Sequence, residues 1–421
     1  MSYTPGPGSV TFTDTVDIKY PAGSVNLGSF GRLRVANPET IFDSKQLFNS
    51  SSIFWDDQET EGSGTANDYD NNRASSILSV SNNTLGRRVR QTFQTFNYQP
   101  GKSQLVLTTW VNIATTSGIT KRIGLFDSKD GLFYNSQDGV LSFVRRSSVT
   151  GSPVDEVVTQ PNWNLDKLDG TGESGITLDP TKAQIGFFDF EWLGVGIVRM
   201  GFVIGGQIIY AHQFLHSNRI TSVYMSTPNL PLRSEIYNDG SGSADSFEII
   251  CSTVISEGGF EPVGVFRWIS TGITAIQANS VGTYYMICGL RINPALTFSG
   301  AVGIIDKISI INRNNDDFEW LVVFDPTLDA APVWTDIPNS AFQTTTGEGS
   351  GPSLTTASNL GTVINGGFIR ANTQGGATDL ASDALRLGKA IDGTPNEAYL
   401  IAQPASTGAD ILGGIRFREL V

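Results

Sequence analysis

Short strand-like runs separated by tight-turn residues are the feature that most limits how this chain can fold. Residues 104–111 (QLVLTTWV) are rich in β-branched and aromatic side chains and follow Pro100-Gly101. Further runs of this kind follow at residues 122–126, 131–134 and 140–144. Asp-Gly pairs at Asp130-Gly131 and Asp138-Gly139 lie between them, a dipeptide that favours tight hairpins. Short strands at spacings of about 8–12 residues predict an antiparallel sandwich or barrel.

The strand pattern divides the chain into three parts. Residues 1–33 carry small strand-like pieces among Pro and Gly, too few for a core, so we expect an extended arm that anchors the protein to an assembly. Residues 34–256 and 257–421 each contain enough predicted strands for a β-sandwich. Only residues 40–48 and 380–389 have a helical pattern. The prediction is an all-β protein with two antiparallel β-sandwich domains of jelly-roll type behind an N-terminal arm.

The charge of the chain argues against a nucleic-acid partner. Lys and Arg number 28 against 41 Asp and Glu, a net charge of −13. Phosphate backbones are bound by clustered cations, and the one basic cluster, residues 87–90 (RRVR), is short. Charged residues are only 16 % of the chain, against roughly 25 % in average soluble domains. A surface of Ser, Thr, Asn, Gln and Gly is typical of extracellular and virion proteins.

The sequence also argues against a membrane span and a metal or cofactor site. No window approaches about 18 uninterrupted apolar residues, and the first residues show no basic and apolar regions of a signal peptide. We expect synthesis in a cytoplasm and release by lysis or on a particle. Cys251 and Cys288 are predicted to be buried free thiols, and His212 and His216 lack the further ligands of a metal site. Acidic turns at residues 56–59, 68–70 and 166–169 offer calcium ligands without EF-hand spacing, so solvated turns are the preferred interpretation.

One pair of carboxylates supports an enzymatic alternative. Asp189 and Glu191 would lie on one face of a strand, about 6.5–7 Å apart, within the range that glycosidases use. The pattern Glu-x-Asp-x-x-Glu is incomplete here, because its first Glu is missing. The pentapeptide DFEWL at residues 189–193 also recurs at residues 317–321, which favours a structural cause. Alternation would place Phe188, Phe190 and Trp192 in the core.

Aromatic side chains on predicted loops support a glycan-binding alternative. Tyr and Trp present apolar ring faces with polar tips, which suits sugar rings. The candidates are Trp55, Tyr134 and Trp163, with Asp166 beside Trp163 in the long polar loop 163–180. A core position is the competing interpretation for each Trp, and it is weakest for Trp163, whose neighbours are polar.

Several segments resemble virion structural proteins of tailed bacteriophages. They are residues 34–46 (RVANPETIFDSKQ), 79–92 (SVSNNTLGRRVRQT), 96–103 (FNYQPGKS), 189–202 and 229–236 (NLPLRSEI). The resemblance covers roughly residues 30–255 and implies a fibre, decoration or tail protein without catalytic residues. The sandwich itself resembles the laminin-G/concanavalin architecture, a likeness of fold that suggests glycan binding.

These observations lead to a leading hypothesis with two alternatives. The leading hypothesis is a non-enzymatic structural protein exposed on the capsid or tail of a phage particle. It would contact other virion proteins through the N-terminal arm and assemble as a homo-oligomer, with a trimer suited to a fibre or knob. The first alternative is a carbohydrate-binding receptor-recognition protein that contacts a host-surface glycan. The second is a glycosidase that uses Asp189 and Glu191.

Overall fold

The computed structural model describes residues 36–296, 300–314, 316–347, 353–354, 360–370, 376–379, 386–406 and 408–420. The predicted arm and residues 380–385 of the second helical pattern lie outside them. The described residues are almost entirely strands, and the helical element among them is a 3₁₀ turn at Gln160–Asn162. The all-β prediction is confirmed. No helix in this part of the chain has the length and apolar character needed to cross a membrane.

Two groups of strands follow one another along the chain. The first group is β1 Glu39–Lys45, β2 Trp55–Gly62, β3 Thr65–Asp70, β4 Ser75–Val80, β5 Leu85–Thr92, β6 Gln104–Val111, β7 Ile119–Phe126, β8 Gly131–Gln137, β9 Val140–Ser147, β10 Val154–Thr159, β11 Ala183–Phe190, β12 Val198–Ile204, β13 Gln207–Phe214, β14 Leu232–Asp239 and β15 Asp245–Ser256. The second group is β16 Val265–Ser270, β17 Ile276–Ala278, β18 Tyr284–Ile292, β19 Val302–Asn312, β20 Phe318–Phe324, β21 Thr335–Asp336, β22 Phe342–Thr346, β23 Ser353–Leu354, β24 Thr362–Ile369, β25 Gly376–Asp379, β26 Glu397–Pro404 and β27 Ala409–Leu420.

The first group forms two antiparallel sheets. Sheet 1 has the order β13-β12-β11-β6-β15-β4-β3, with β1 also paired to β15, and sheet 2 has the order β10-β9-β8-β7-β14-β5-β2. Alternate residues of β6, including Val106 and Trp110, point inward and are fully buried. The Trp110 ring meets Tyr134 of sheet 2 with 4.8 Å between ring centroids. Period-2 alternation thus builds the core between the two sheets.

The second group forms another pair of antiparallel sheets. Sheet 3 has the order β16-β27-β19-β25, with β17 also paired to β27. Sheet 4 has the order β21-β22-β18-β26-β20-β24, with β23 also paired to β18. Ile415 and Phe417 of sheet 3 and Leu400 of sheet 4 belong to one buried cluster. The fold class is therefore the predicted one, with β-sandwich arrangements in both halves.

Residues 38–421 form one compact unit in which the two sandwiches touch. The Lys389 N–H donates to the Phe93 carbonyl at 2.8 Å, and the Asn229 amide donates to the Gly300 carbonyl at 3.0 Å. At Gly388 a Cβ atom would lie 1.9 Å from the Phe93 carbonyl oxygen. Glycine is required there because the backbone segments around Gly388 and Phe93 approach too closely for any side chain.

Two local predictions have clear outcomes. Residues 40–48 are not helical, because strand β1 pairs with β15 along Glu39–Lys45. Their apolar spacing was compatible with a helix, but pairing to a sheet edge satisfies the backbone groups instead. Cys251 in β15 and Cys288 in β18 are free thiols, as predicted, with Cys251 only half-buried.

Candidate functional site

The four predicted glycan contacts do not form an exposed platform. Trp163 is only 2 % exposed, and its indole stacks on Phe143 at 4.3 Å while its N–H donates to the Val158 carbonyl at 3.1 Å. Asp166 is also buried and accepts a hydrogen bond from the backbone N–H of Ser174 at 2.8 Å, which organises the long loop. The polar neighbours of Trp163 are loop residues, whereas its ring fills the core.

Tyr134 and Trp55 are buried in the same way. The Tyr134 hydroxyl donates to the Phe187 carbonyl at 3.0 Å, and the Trp55 indole N–H donates to the Ser44 hydroxyl at 2.9 Å. Burying a large ring releases much apolar surface from water, and a partner satisfies its polar tip. This corrects the expectation of an exposed aromatic platform. Direct glycan contact by these four side chains stays a prediction that their burial disfavours.

The predicted carboxylate pair is separated by the end of a strand. Strand β11 ends at Phe190, so Asp189 lies in the sheet and Glu191 lies in the following loop, where its backbone N–H donates to the Ile197 carbonyl at 3.0 Å. Phe188 and Phe190 are fully buried, as alternation predicted. The single-strand geometry of the glycosidase hypothesis is therefore absent. Burial raises the pKa of Asp189, and the charge of Glu257, rather than that of Glu191, raises it further.

A different group of side chains comes together on the solvent-facing side of sheet 1. We call Phe187, Asp189, Arg199 and Tyr210 the Tyr210 site. Strand pairing places Asp189 opposite Arg199, and Phe187 opposite Gly201, which in turn pairs with Tyr210. At Gly201 a Cβ would lie 2.9 Å from Cζ of Phe187. The missing side chain lets the Phe187 and Tyr210 rings meet edge to face, with 5.2 Å between centroids.

Polar groups border the Tyr210 ring. The Tyr210 hydroxyl donates to Oδ2 of Asp189 at 3.3 Å, and Nη1 of Arg199 lies 3.8 Å from the same oxygen. The Arg199 guanidinium lies 5.6 Å from the ring centroid. The ring is 36 % exposed, and Ile208 beside it on β13 is 57 % exposed. An apolar surface thus adjoins a hydrogen-bond acceptor and a cationic donor.

Burial sets the electrostatics of the Tyr210 site. It raises the pKa of Asp189 above the usual carboxyl value, and the negative charge of Glu257 raises it further, while Arg199 opposes the shift. Burial also raises the pKa of Tyr210, with a further contribution from Asp189. The carboxyl group is therefore partly desolvated, and the phenol stays a neutral hydrogen-bond donor at physiological pH.

Sequence reasoning named Asp189 but missed Tyr210 and Arg199. One signal could have found Tyr210: Gly205-Gly206, both with positive φ, form the two-residue turn between β12 and β13. Counting back from this turn pairs Ile204 with Gln207 and Gly201 with Tyr210. Arg199 offered no such signal, because the loop between β11 and β12 does not fix the register.

The predicted acidic turns at residues 56–59 and 68–70 lie instead within strands β2 and β3. Asp57 forms an ion pair with the buried Arg90, and Asp56 accepts the backbone N–H of Ile391 at 2.8 Å. Within the described ranges, no group of three or more His, Cys, Asp or Glu side chains could hold a metal ion.

The comparisons with known proteins concern the fold. No protein-family model matches the sequence, and no curated protein matches it. The structure is similar to the carbohydrate recognition domain of Emp47p, with 12 % identity and a TM-score of 0.33, covering 52 % of this chain and 96 % of that one. It is similar to the CBM2 module of the evolved Dit of Lactobacillus casei BL23 phage J-1, with 8 % identity and a TM-score of 0.35, covering 54 % and 100 %.

A third similar structure is a glycosyl hydrolase family 16 protein from Mycobacterium smegmatis, with 8 % identity and a TM-score of 0.33, covering 51 % of this chain and 100 % of that one. We draw no conclusion about function from similarities of this size. The chain is an all-β protein with antiparallel β-sandwich arrangements in both halves.

Proposed function

We propose that the protein binds a carbohydrate through the Tyr210 site and does so without catalysis. The observation that carries the proposal is the half-exposed Tyr210 ring, held against Phe187 and bordered by Asp189 and Arg199. A sugar ring has an apolar C–H face and a rim of hydroxyl groups. The Tyr210 and Ile208 side chains match the face, while the carboxylate accepts from hydroxyls and the guanidinium donates to them.

Glycan binding by purified full-length protein tests this proposal. An immobilised glycan array identifies the ligand, and titration calorimetry compares wild type with Tyr210→Ala and Tyr210→Phe. Tyr210→Ala removes the ring and lowers affinity by about tenfold, which corresponds to about 1.4 kcal/mol. Tyr210→Phe keeps the ring, loses only the hydroxyl that donates to Asp189, and has a smaller effect.

A matched control is available on sheet 2. Tyr237 is half-buried and carries the Arg87 guanidinium 4.2 Å from its ring centroid. Tyr237→Ala therefore removes a comparable tyrosine–arginine pair outside the Tyr210 site and leaves affinity unchanged. An array without any bound glycan, or Tyr210→Ala binding as tightly as wild type, contradicts the proposal.

We place this binding activity on a phage particle, where the protein serves as a fibre, decoration or tail component that recognises the host surface. The resemblance of residues 34–46, 79–92 and 96–103 to virion proteins and the low content of charged residues support this setting. In it, residues 1–33 contact other virion proteins, and the protein assembles as a homo-oligomer. Antibody labelling of purified particles, viewed by electron microscopy, tests it. Unlabelled particles from a lysate that contains the free protein contradict it.

Glycoside hydrolysis is a second candidate function. Burial, and then the charge of Glu257, raise the pKa of Asp189, which is the direction of shift that a general acid requires. Release of reducing sugar from the bound glycan, lost in Asp189→Asn, would establish hydrolysis. Unchanged activity in Glu191→Gln would exclude the predicted Asp189–Glu191 pair. Binding without any sugar release leaves the non-catalytic proposal standing.

A further inference from the structure

A second aromatic surface lies on the outer side of sheet 3. Strand β16 alternates so that Ile269 is buried in the core, while Phe266 and Trp268 point outward and are 51 % and 52 % exposed. Large aromatic side chains this exposed on a regular strand are unusual in a folded domain, and they commonly mark binding surfaces.

The Trp268 ring lies over the neighbouring strand. Gly414 of β27 is a diagonal neighbour of Trp268, since Trp268 pairs with Arg416 and Ser270 pairs with Gly414. A Cβ at Gly414 would lie 2.4 Å from Cζ2 and 2.8 Å from Cη2 of Trp268. Because Gly414 has no side chain, the indole can pack directly against the backbone of β27. The ring is thus positioned before any ligand arrives, which lowers the entropic cost of binding.

Cationic side chains lie beside the Phe266 ring. The guanidinium groups of Arg416 and Arg418 lie 4.8 Å and 4.5 Å from the Phe266 ring centroid. Asp306 fixes Arg416 through two hydrogen bonds, at 3.0 Å and 2.8 Å. The two guanidinium groups therefore place positive charge beside the Phe266 ring, although the whole chain has a net charge of −13.

We infer that this face of sheet 3, formed by Phe266, Trp268, Asp306, Arg416 and Arg418, binds an acidic glycan built of pyranose rings that carry carboxylates. The exposed indole accepts the C–H face of a sugar ring, and the local positive charge attracts the carboxylates. The site lies on the other sandwich from the Tyr210 site and shares no residue with it.

A second copy of the chain is the competing occupant of this face. Among the described residues β16 is an edge strand of sheet 3, and an edge strand can pair with another chain. The arginine side chains favour the glycan. A symmetric pairing of two β16 strands would place Arg416 and Arg418 of both copies on one continuous sheet face, and such repulsion between like charges weakens an interface.

The test is titration calorimetry of the full chain with three oligosaccharides of equal length. Oligogalacturonate and oligomannuronate carry carboxylates, and cello-oligosaccharide is neutral. We expect an acidic oligosaccharide to bind at least about fivefold tighter than the neutral one. We also expect binding to weaken when NaCl is raised to about 0.5 M, where the Debye length is roughly 4 Å. Trp268→Ala lowers the affinity about tenfold, whereas Tyr210→Ala leaves it unchanged.

Phe368→Ala is the matched control, because Phe368 is a 79 % exposed aromatic residue of the same sandwich, on β24. It leaves acidic-glycan binding intact. Sedimentation velocity of wild type and Trp268→Ala tests the competing occupant. The inference is overturned if neither acidic oligosaccharide binds, if Trp268→Ala binds as wild type, or if Trp268→Ala dissociates an oligomer. Loss of binding in Tyr210→Ala alone would assign the acidic glycan to the Tyr210 site instead.

Discussion

The same pentapeptide, DFEWL, occurs once in each sandwich and adopts two different structures. At residues 189–193 it closes strand β11, which ends at Phe190, and the Trp192 indole donates to the Met225 carbonyl at 3.2 Å. At residues 317–321 it opens strand β20, which begins at Phe318 and carries Trp320 within the sheet. The two copies therefore share a sequence but not a secondary structure.

The direction of the side chains is nevertheless the same in both copies. Phe190 and Phe318 are buried in their cores, and Trp320 is buried as well, whereas Trp192 is half-buried against the first core. Alternation along an extended chain fixes which residues share a face. The point where the strand ends depends on the neighbouring strands. A short repeated sequence is thus evidence for shared side-chain direction and not for a shared site.

The tryptophans of the two copies should show the largest difference in their contribution to the free energy of unfolding. Trp320→Ala empties a buried position and lowers the free energy of unfolding by about 3–5 kcal/mol. Trp192→Ala removes a half-buried side chain and one hydrogen bond, and lowers it by about 1–2 kcal/mol. Urea unfolding of each variant, followed by circular dichroism, measures both values. Equal losses would mean that the two tryptophans have the same environment, contrary to the structure.

The glutamates of the two copies should differ less. The Tyr284 hydroxyl donates to Oε2 of Glu319 at 2.6 Å. Burial raises the pKa of Tyr284 to about 12, and Glu319 contributes to this shift. Glu319→Gln weakens a charge-assisted bond and costs about 1 kcal/mol, whereas Glu191→Gln changes stability by less than about 0.5 kcal/mol. The urea midpoints of both variants check this difference.

The tyrosine titration gives an independent check. Because the folded protein holds the Tyr284 proton more tightly than the unfolded chain, stability falls as pH rises from about 10 through the folded pKa of about 12. Glu319→Gln lowers the pKa of Tyr284 and narrows the pH range over which stability falls. NMR of ring-labelled tyrosine follows the titration. A Tyr284 pKa that does not move in Glu319→Gln would mean that the hydrogen bond is not formed.

The smallest expected effect is that of Asp189→Asn, which should slightly stabilise the fold, whereas the substitutions above destabilise it. Burial, and then Glu257, raise the pKa of Asp189, so the folded protein keeps a proton that the unfolded chain has released. Stability therefore falls as pH rises through the folded pKa, and ionised Asp189 is unfavourable at neutral pH. Asp189→Asn still accepts from Tyr210 and should be as stable as wild type or slightly more stable at pH 7.

This small gain should disappear in acid. Below the ordinary Asp pKa of about 3.9 both states are protonated, and the advantage of Asp189→Asn is lost. Urea midpoints measured across the pH range test this expectation. A variant that is less stable than wild type at pH 7, with the difference removed in acid, would show that the ionised carboxylate stabilises the fold through Arg199.

The sequence by itself determined the fold class and the facing of many residues. Turn dipeptides and period-2 alternation are local properties, so the strands β7, β8 and β9 and the buried Phe188 and Phe190 followed from residue spacing alone. The Gly205-Gly206 turn likewise fixes the pairing of Gly201 with Tyr210 within a few residues. Steric limits on neighbouring residues are sufficient for each of these features.

Only the tertiary structure decided which surfaces are open to a ligand. Trp163 has polar neighbours and is buried, whereas Trp268 lies between Arg267 and Ile269 on a strand and is exposed. Alternation assigns a side chain to one of two faces, but the second sheet decides which face is covered. That sheet consists of residues far away in the sequence, so exposure is a long-range property of packing. The binding sites proposed on sheets 1 and 3 depend on it.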